Sequence, residues 1–233
     1  CGKQLKRKTE NWRKSKNFIV EMKINFENKN PLKILCLGAH CDDIEIGAGG
    51  TLLKMFRDYE IGQVTWIVFS SNDVRKLEAQ ASAESFLKNI PQKNIIIKSY
   101  RDGFFPFHGI EIKEFFEVMK KQISPDLIFT HYRNDRHQDH RLISDLTWNT
   151  WRSELILEYE IPKYDGDLGI PNFYVPLEEE ILAERNRIIM ETFVSQNTKH
   201  WFDEATFNAL PRLRGMECAN TFAEAFYSRK IIL

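Results

Sequence analysis

The chain has 233 residues, with Lys plus Arg at 33 and Asp plus Glu at 33, so the formal charge is zero. Hydrophobic residues at 42% and charged residues at 28% sit near the globular average, which excludes wholesale disorder and leaves enough apolar material for a buried core. The neutral balance argues against a nucleic-acid binder, and no apolar run approaches the roughly 18 residues needed to span a bilayer.

Residues 1–16 hold seven Lys or Arg against one acid, Glu10. The composition predicts a basic, flexible extension over residues 1–28 and a single domain over 29–233. Residues 1–21, ahead of Met22, read as an added or upstream segment, and Cys1-Gly2 offers a second reading as the lipidated start of a processed lipoprotein. The four cysteines (Cys1, Cys36, Cys41, Cys218) show no CxxC spacing, so neither a zinc ribbon nor a disulfide scaffold is expected. The expectation is a reduced, cytoplasmic protein.

From residue 32 strands alternate with helices. Leu32 to Leu37 is a near-continuous apolar run ending at Gly38, as a strand buried on both faces would be. Thr51 to Tyr59 has helical spacing at Leu52, Leu53 and Phe56. Val64 to Phe69 predicts a second strand, with Asp73 as N-cap of a helix up to about Leu87. Asn94 to Lys98 predicts a third strand, Ile110 to Ile123 a helix with a Phe115/Phe116/Met119 face, and Leu127 to Thr130 a fourth strand. Residues 162–176 form a turn-rich break beside the site, followed by a helix from about Leu177 to Val194. This alternation implies an α/β fold, Rossmann-like, a three-layer sandwich around a mostly parallel central sheet. In such sheets the chemistry lies beyond the carboxyl ends of the strands.

Two segments sit there. Gly38-Ala39-His40-Cys41-Asp42-Asp43-Ile44-Glu45-Ile46-Gly47 follows the first strand, and Thr130-His131-Tyr132-Arg133-Asn134-Asp135-Arg136-His137-Gln138-Asp139-His140 follows the fourth. Together they present His40, Asp42, Asp43, His137, Asp139 and His140. Two histidines and one carboxylate with an open position is the ligand arithmetic of a hydrolytic zinc site. A neighbouring uncommitted carboxylate, Asp42 or Asp43, would serve as the base. Singly, each of these residues reads as a cap or turn group; both clusters at one sheet edge do not.

The motifs Ala39-His40-Cys41-Asp42-Asp43 and His137-Gln138-Asp139-His140 resemble the AHPDD and HPDH signatures of the LmbE-like, PIG-L-type de-N-acetylases. The likeness runs from about Leu32 to the end, through Ile44 to Thr51, Val194-Ser195-Gln196 and Ala223-Glu224-Ala225-Phe226. The resemblance implies a Zn2+ site, with Fe2+ as the other candidate, held by His40, Asp43 and His140. It implies Asp42 as general base, His137 as the group that stabilises the oxyanion, and Asp139 as the carboxylate that orients His137. Arg75 and Asp102 match family positions that contact the sugar; their ordinary readings are a helix-surface charge and a turn carboxylate. Cys41 and Gln138 replace the family's usual prolines, and Cys41 is a candidate fourth ligand or, paired with His140, a nucleophile.

The implied function is metal-dependent removal of the N-acetyl group from an N-acetylglucosamine-type sugar or glycoconjugate precursor, with a small-molecule or glycoconjugate partner and no nucleic acid. A homo-oligomer is compatible with the sequence. The alternative is a non-catalytic carbohydrate-binding protein on the same scaffold. A dinucleotide oxidoreductase does not fit, because Gly47-Ala48-Gly49-Gly50 comes too late and breaks G-x-G-x-x-G. His108, His131 and His200 have no evident partner; His131 reads as a satisfied loop histidine, with lining of the pocket as its other reading, and Trp148, Trp151 and Trp201 read as core.

Overall fold

The computed structural model describes residues 31–231. The expectations for residues 1–28, the basic extension and Cys1-Gly2 included, lie outside the described residues. Strands β1 (Leu32–Gly38), β2 (Ile61–Val68), β3 (Gln92–Ile97), β4 (Leu127–His131) and β5 (Leu155–Tyr159) run parallel. β7 (Phe222–Tyr227) pairs antiparallel with both β5 and β6 (Phe173–Leu177). The seven-stranded order is β3-β2-β1-β4-β5-β7-β6, so the winding direction reverses between β1 and β4. That switch point opens a crevice beyond the carboxyl ends of both strands.

Helices α1 (Asp43–Asp58), α2 (Asp73–Phe86), α3 (Gly109–Gln122), α4 (Gln138–Thr150), α5 (Glu179–Thr192) and α6 (Glu204–Glu217) complete the layers. α1, α2 and α5 pack against one another on one face, and α3 and α4 on the other. The two-residue repeat of β1 feeds both: Ile34 and Cys36 join the first core, Leu35 and Leu37 the second. The expected three-layer α/β arrangement is the one found.

Several local boundaries differ from the sequence expectation; β2 starts at Ile61 rather than Val64, and β3 at Gln92 rather than Asn94. α1 begins at Asp43, not Thr51, so half of the first motif is helical rather than loop. Gly47, Gly49 and Gly50 read as helix breakers, yet close packing demands them. A Cβ on Gly47 would lie 2.2 Å from Tyr159 Cδ2, and one on Gly50 2.6 Å from Leu177 Cδ1. The N-cap of α2 is Asn72, whose side chain accepts from the Arg75 amide, one residue before the expected Asp73. The end of the turn-rich break is strand β6, and α5 starts at Glu179 rather than Leu177.

Below α1 the buried Glu224 accepts from the amides of Gly50 (2.8 Å) and Thr51 (2.6 Å) and from Arg185 Nη1 (3.1 Å). Strand β7 is thereby tied to the helix that carries the first motif. Substituting Gly47→Ala should lower stability by about 1–3 kcal/mol, because the methyl meets a rigid ring. Urea unfolding checks this: the midpoint should fall with the slope unchanged, and an unmoved midpoint would contradict the packing.

Candidate metal centre

The turn from β1 into α1 is built by backbone bonds. Phe69 N donates to Gly38 O and Ser70 N to Ala39 O, extending the β1–β2 pairing past the strand ends. Asp43 Oδ2 accepts from the His40 amide at 2.6 Å. Asp42 occupies the N-cap of α1 but makes no side-chain capping bond. A capping carboxylate is ordinarily worth about 1 kcal/mol to a helix, so Asp42 is held for something else. On the other side of the switch point, His137 is the N-cap of α4, and Asp139 and His140 lie in its first turn.

Three ligand atoms converge. His40 Nδ1 lies 3.1 Å from His140 Nε2 and 3.4 Å from Asp43 Oδ2, and His140 Nε2 lies 3.6 Å from Asp43 Oδ2. The outer nitrogens of both rings are already committed to carboxylates. His40 Nε2 faces Asp102 Oδ1 at 3.0 Å and Asp139 Oδ2 at 3.3 Å, and His140 Nδ1 faces Asp135 Oδ2 at 2.9 Å. If those nitrogens carry the protons, two bare lone pairs and a carboxylate oxygen point at one place, which is repulsive unless a cation or a shared proton lies between them. A tetrahedral ion with ligands at about 2.0–2.1 Å spaces them by roughly 3.3–3.4 Å, so the donor set fits a divalent ion.

Beyond the group of His40 with Asp102, His137 and Asp139, two further groupings bring ligand atoms within 4.8 Å: His40 with His137 and His140, and Asp43 with His131 and His140. His131 is poorly suited to the second. Its Nε2 accepts the Ala39 amide at 2.9 Å and lies 3.2 Å from the Tyr159 hydroxyl, so that lone pair is spent. Its Nδ1 is buried without a hydrogen-bond partner among the described residues. The ring instead stacks on His140, with centroids 3.9 Å apart, and puts Nε2 3.2 Å from Asp43 Oδ2. Sequence reasoning left His131 without a partner; it is a wall of the centre.

The charges follow this geometry. Burial works against a charged His40, but Asp43, Asp102 and Asp139 outweigh it and hold its pKa well above the ordinary value. His140 is pushed down by burial and by His131. Burial alone would raise Asp43, yet His140, His131 and His40 bring it well below the usual carboxylate range. Asp42 goes the other way: burial raises it, and Arg75 Nη2, 2.9 Å from Oδ2, offsets that only in part. His137 is lowered by burial and by the two neighbouring histidines. Its Nδ1 accepts the Asp139 amide at 3.3 Å, which places the proton on Nε2.

Asp139 lies with His40, Asp102 and His137 in a group whose ligand-type atoms are all within 4.8 Å of one another. Its carboxylate is fully buried and accepts from the amides of Gly103 (2.7 Å) and Phe105 (3.1 Å), with His40 Nε2 beside it. At the start of a helix the i+2 amide, not the i+2 carboxylate, faces the N-cap ring. Asp135, which no motif flagged, is the carboxylate behind His140; it also accepts from the His137 amide (2.8 Å) and from Lys163 (2.9 Å). Lys163 bonds Asp167, and Asp167 accepts from the Arg136 amide at 2.6 Å, so the turn-rich break is fastened to the site. Arg75 and Asp102 both reach the centre. Cys41 is buried, donates to Ser70 O at 3.2 Å, and is pushed up to about 12, chiefly by burial. A thiol so engaged is neither a ready ligand nor a nucleophile.

Replacing Asp135→Asn should weaken divalent-ion binding by about 10–100-fold, since the partner of a ligating imidazole sets its orientation and basicity. Because His40 holds a proton that an ion must displace, affinity should also rise with pH, by up to about tenfold per unit while His40 stays protonated. Competition against a chromogenic chelator across pH measures both; equal affinities for variant and wild type would contradict the assignment.

The family model described as PIG-L: GlcNAc-PI de-N-acetylase matches residues 35–151, half of the chain. The uncharacterized deacetylase YaiS of Escherichia coli (strain K12) is 27% identical over 137 residues, 55% of this chain and 74% of that protein. Among solved structures, the N,N'-diacetylchitobiose deacetylase from Pyrococcus horikoshii superposes with a TM-score of 0.68 at 19% identity, covering 94% of this chain and 92% of that one. A zinc-inhibited form of teicoplanin deacetylase gives 0.65 at 12% identity, over 84% of this chain and 97% of that one. At these identities the two structures speak for the fold alone. With the family model spanning both motifs, the chain belongs to the PIG-L, LmbE-like de-N-acetylase family.

Proposed function

We propose that the protein is a divalent-metal-dependent N-deacetylase acting on an N-acetylated amino sugar or a glycoconjugate that carries one. The observation that carries the reading is the convergence of His40 Nδ1, Asp43 Oδ2 and His140 Nε2 beside an uncapped, elevated Asp42. A pure binding module has no use for that base, which sets the carbohydrate-binding alternative aside.

In this reading His40, Asp43 and His140 hold the ion, Zn2+ or Fe2+. When bound, such an ion supplies Lewis acidity, acidifying a water and polarising a carbonyl. Asp42 has one oxygen tied by Arg75, and its other oxygen takes the proton of the attacking water. The neutral His137 donates from Nε2 to the acetamide oxygen as negative charge gathers there. Asp42 then returns its proton to the departing amine, giving acetate and the free amino sugar. Asp139 braces His40 and the Gly103 turn, and the outward face of Asp102, with its side chain 73% exposed, is open to a sugar hydroxyl. Residues 29–233 would act as one domain. Three free thiols among the described residues support a reducing, cytoplasmic setting, and none of the described helices is long and apolar enough to cross a membrane.

Asp42→Asn should lower kcat by about 10²–10⁴-fold while metal content is kept; a variant as active as wild type would remove the base from the account. Cys41→Ser should retain activity. In wild type the acidic limb of kcat/KM should lie above the ordinary carboxylate value of about 3.9, because Asp42 must be ionised to act and its pKa is raised. Amine release from a panel of N-acetyl sugars across pH measures all three.

A further inference from the structure

Arg75 does not stand on Asp42 unaided. Its backbone amide donates to the Asn72 side chain at 2.9 Å, which fixes the first turn of α2. Its guanidinium is bracketed: Nη2 lies 2.9 Å from Asp42 Oδ2, Nη1 lies 3.1 Å from Glu78 Oε2, and Cζ sits 4.9 Å from the ring centroid of the buried Phe193. The three charged side chains are nearly covered, at 14% exposure for Arg75 and 11% each for Asp42 and Glu78.

Glu78 in turn is gripped from a distant part of the chain. Its Oε1 accepts the Ser195 amide at 2.7 Å and its Oε2 the Ser195 hydroxyl at 2.8 Å, across 117 residues of sequence. Ser195 lies in the single turn Val194–Gln196 that follows α5, directly after Phe193. The segment behind α5 therefore touches the guanidinium twice, through the Phe193 ring and through Glu78. A charge-assisted chain runs from Ser195 to Glu78 to Arg75 to Asp42, with Glu78 Oε2 shared by the Ser195 hydroxyl and Arg75 Nη1.

Resting on the deacetylase reading above, we propose that Glu78 and Ser195 are positioning residues for the general base. They hold Arg75 so that only one of its nitrogens reaches Asp42, which leaves the second Asp42 oxygen free to take a proton. With Glu78 gone, nothing on α2 opposes rotation of the planar fork into a two-point grip on Asp42, the geometry that guanidinium and carboxylate favour. Neither residue touches the ligand atoms of the metal centre, so ion binding should not register the loss.

Four variants test this: Glu78→Ala, Glu78→Gln, Ser195→Ala and Ser195→Thr. In Glu78→Ala kcat should fall roughly tenfold, the scale of a small misplacement of a catalytic group, with KM and metal content within about twofold of wild type. Glu78→Gln keeps the shape and should fall between the two. Ser195→Ala, which leaves the helix untouched, should lose roughly threefold, and Ser195→Thr, which keeps amide and hydroxyl, should restore it. The side-chain 15Nε–1Hε resonance of Arg75 reads the clamp without any turnover: it should shift or broaden in Glu78→Ala and Ser195→Ala and return in Ser195→Thr. An unmoved Arg75 resonance, or full kcat in Glu78→Ala, overturns the inference. Absence of deacetylation by wild type defeats the deacetylase reading instead, and with it the claim that the clamp serves a base.

Discussion

The meeting of the His40 and His140 rings with the Asp43 carboxylate at one sheet edge is the constraint around which this molecule is organised. His40 Nδ1 and His140 Nε2 stand 3.1 Å apart because each ring's other nitrogen is pinned to carboxylates, and Asp43 closes the triangle. With its pKa held well above the ordinary value, His40 can itself supply positive charge there, which a bound cation would replace. Strand order and the turn into α4 together bring the two rings to one place.

The fold supplies the meeting point. β1 and β4 are neighbours only because the sheet winds outward from them in both directions. Their next residues feed the N-termini of α1 and α4, which place Asp42 and His137 at cap positions and leave Asp43 and His140 one short step inside. Around this core the carboxylates divide the labour. Asp135, Asp139 and Asp102 stand behind the His40 and His140 rings, whereas Asp42 is paired with Arg75. Glu45, one turn along α1, is buried with Ser82 donating to it at 2.6 Å and is pushed up to about 8, chiefly by burial, so it adds little negative charge to an already acidic neighbourhood.

Much of this was legible in the amino-acid order, because the signals were strong and local. Apolar runs ending at Gly38 and Thr130 announced the strand ends, and the clustering of His and Asp just beyond them announced the centre. Elements were lost where tertiary demand overrode local preference. The glycines of α1 look like a loop until Tyr159 and Leu177 are seen pressing on them. β5 carries Glu158, which is satisfied by Arg229 and the Trp148 indole rather than by solvent, so its strand character is masked. Asp135 was missed as a functional group, and His131 was given no partner, for a different reason. Their partners are a ring five residues on and a carboxylate on another strand's loop, and no spacing rule joins those.

The central claim is that His40, Asp43 and His140 hold one divalent ion. Its most direct test is elemental analysis of wild type and His140→Ala after chelator stripping and reloading with Zn2+ or Fe2+ under identical conditions. The account predicts about one ion per chain in wild type and almost none in the variant. A wild type that retains no ion, or a variant that retains as much as wild type, would contradict it.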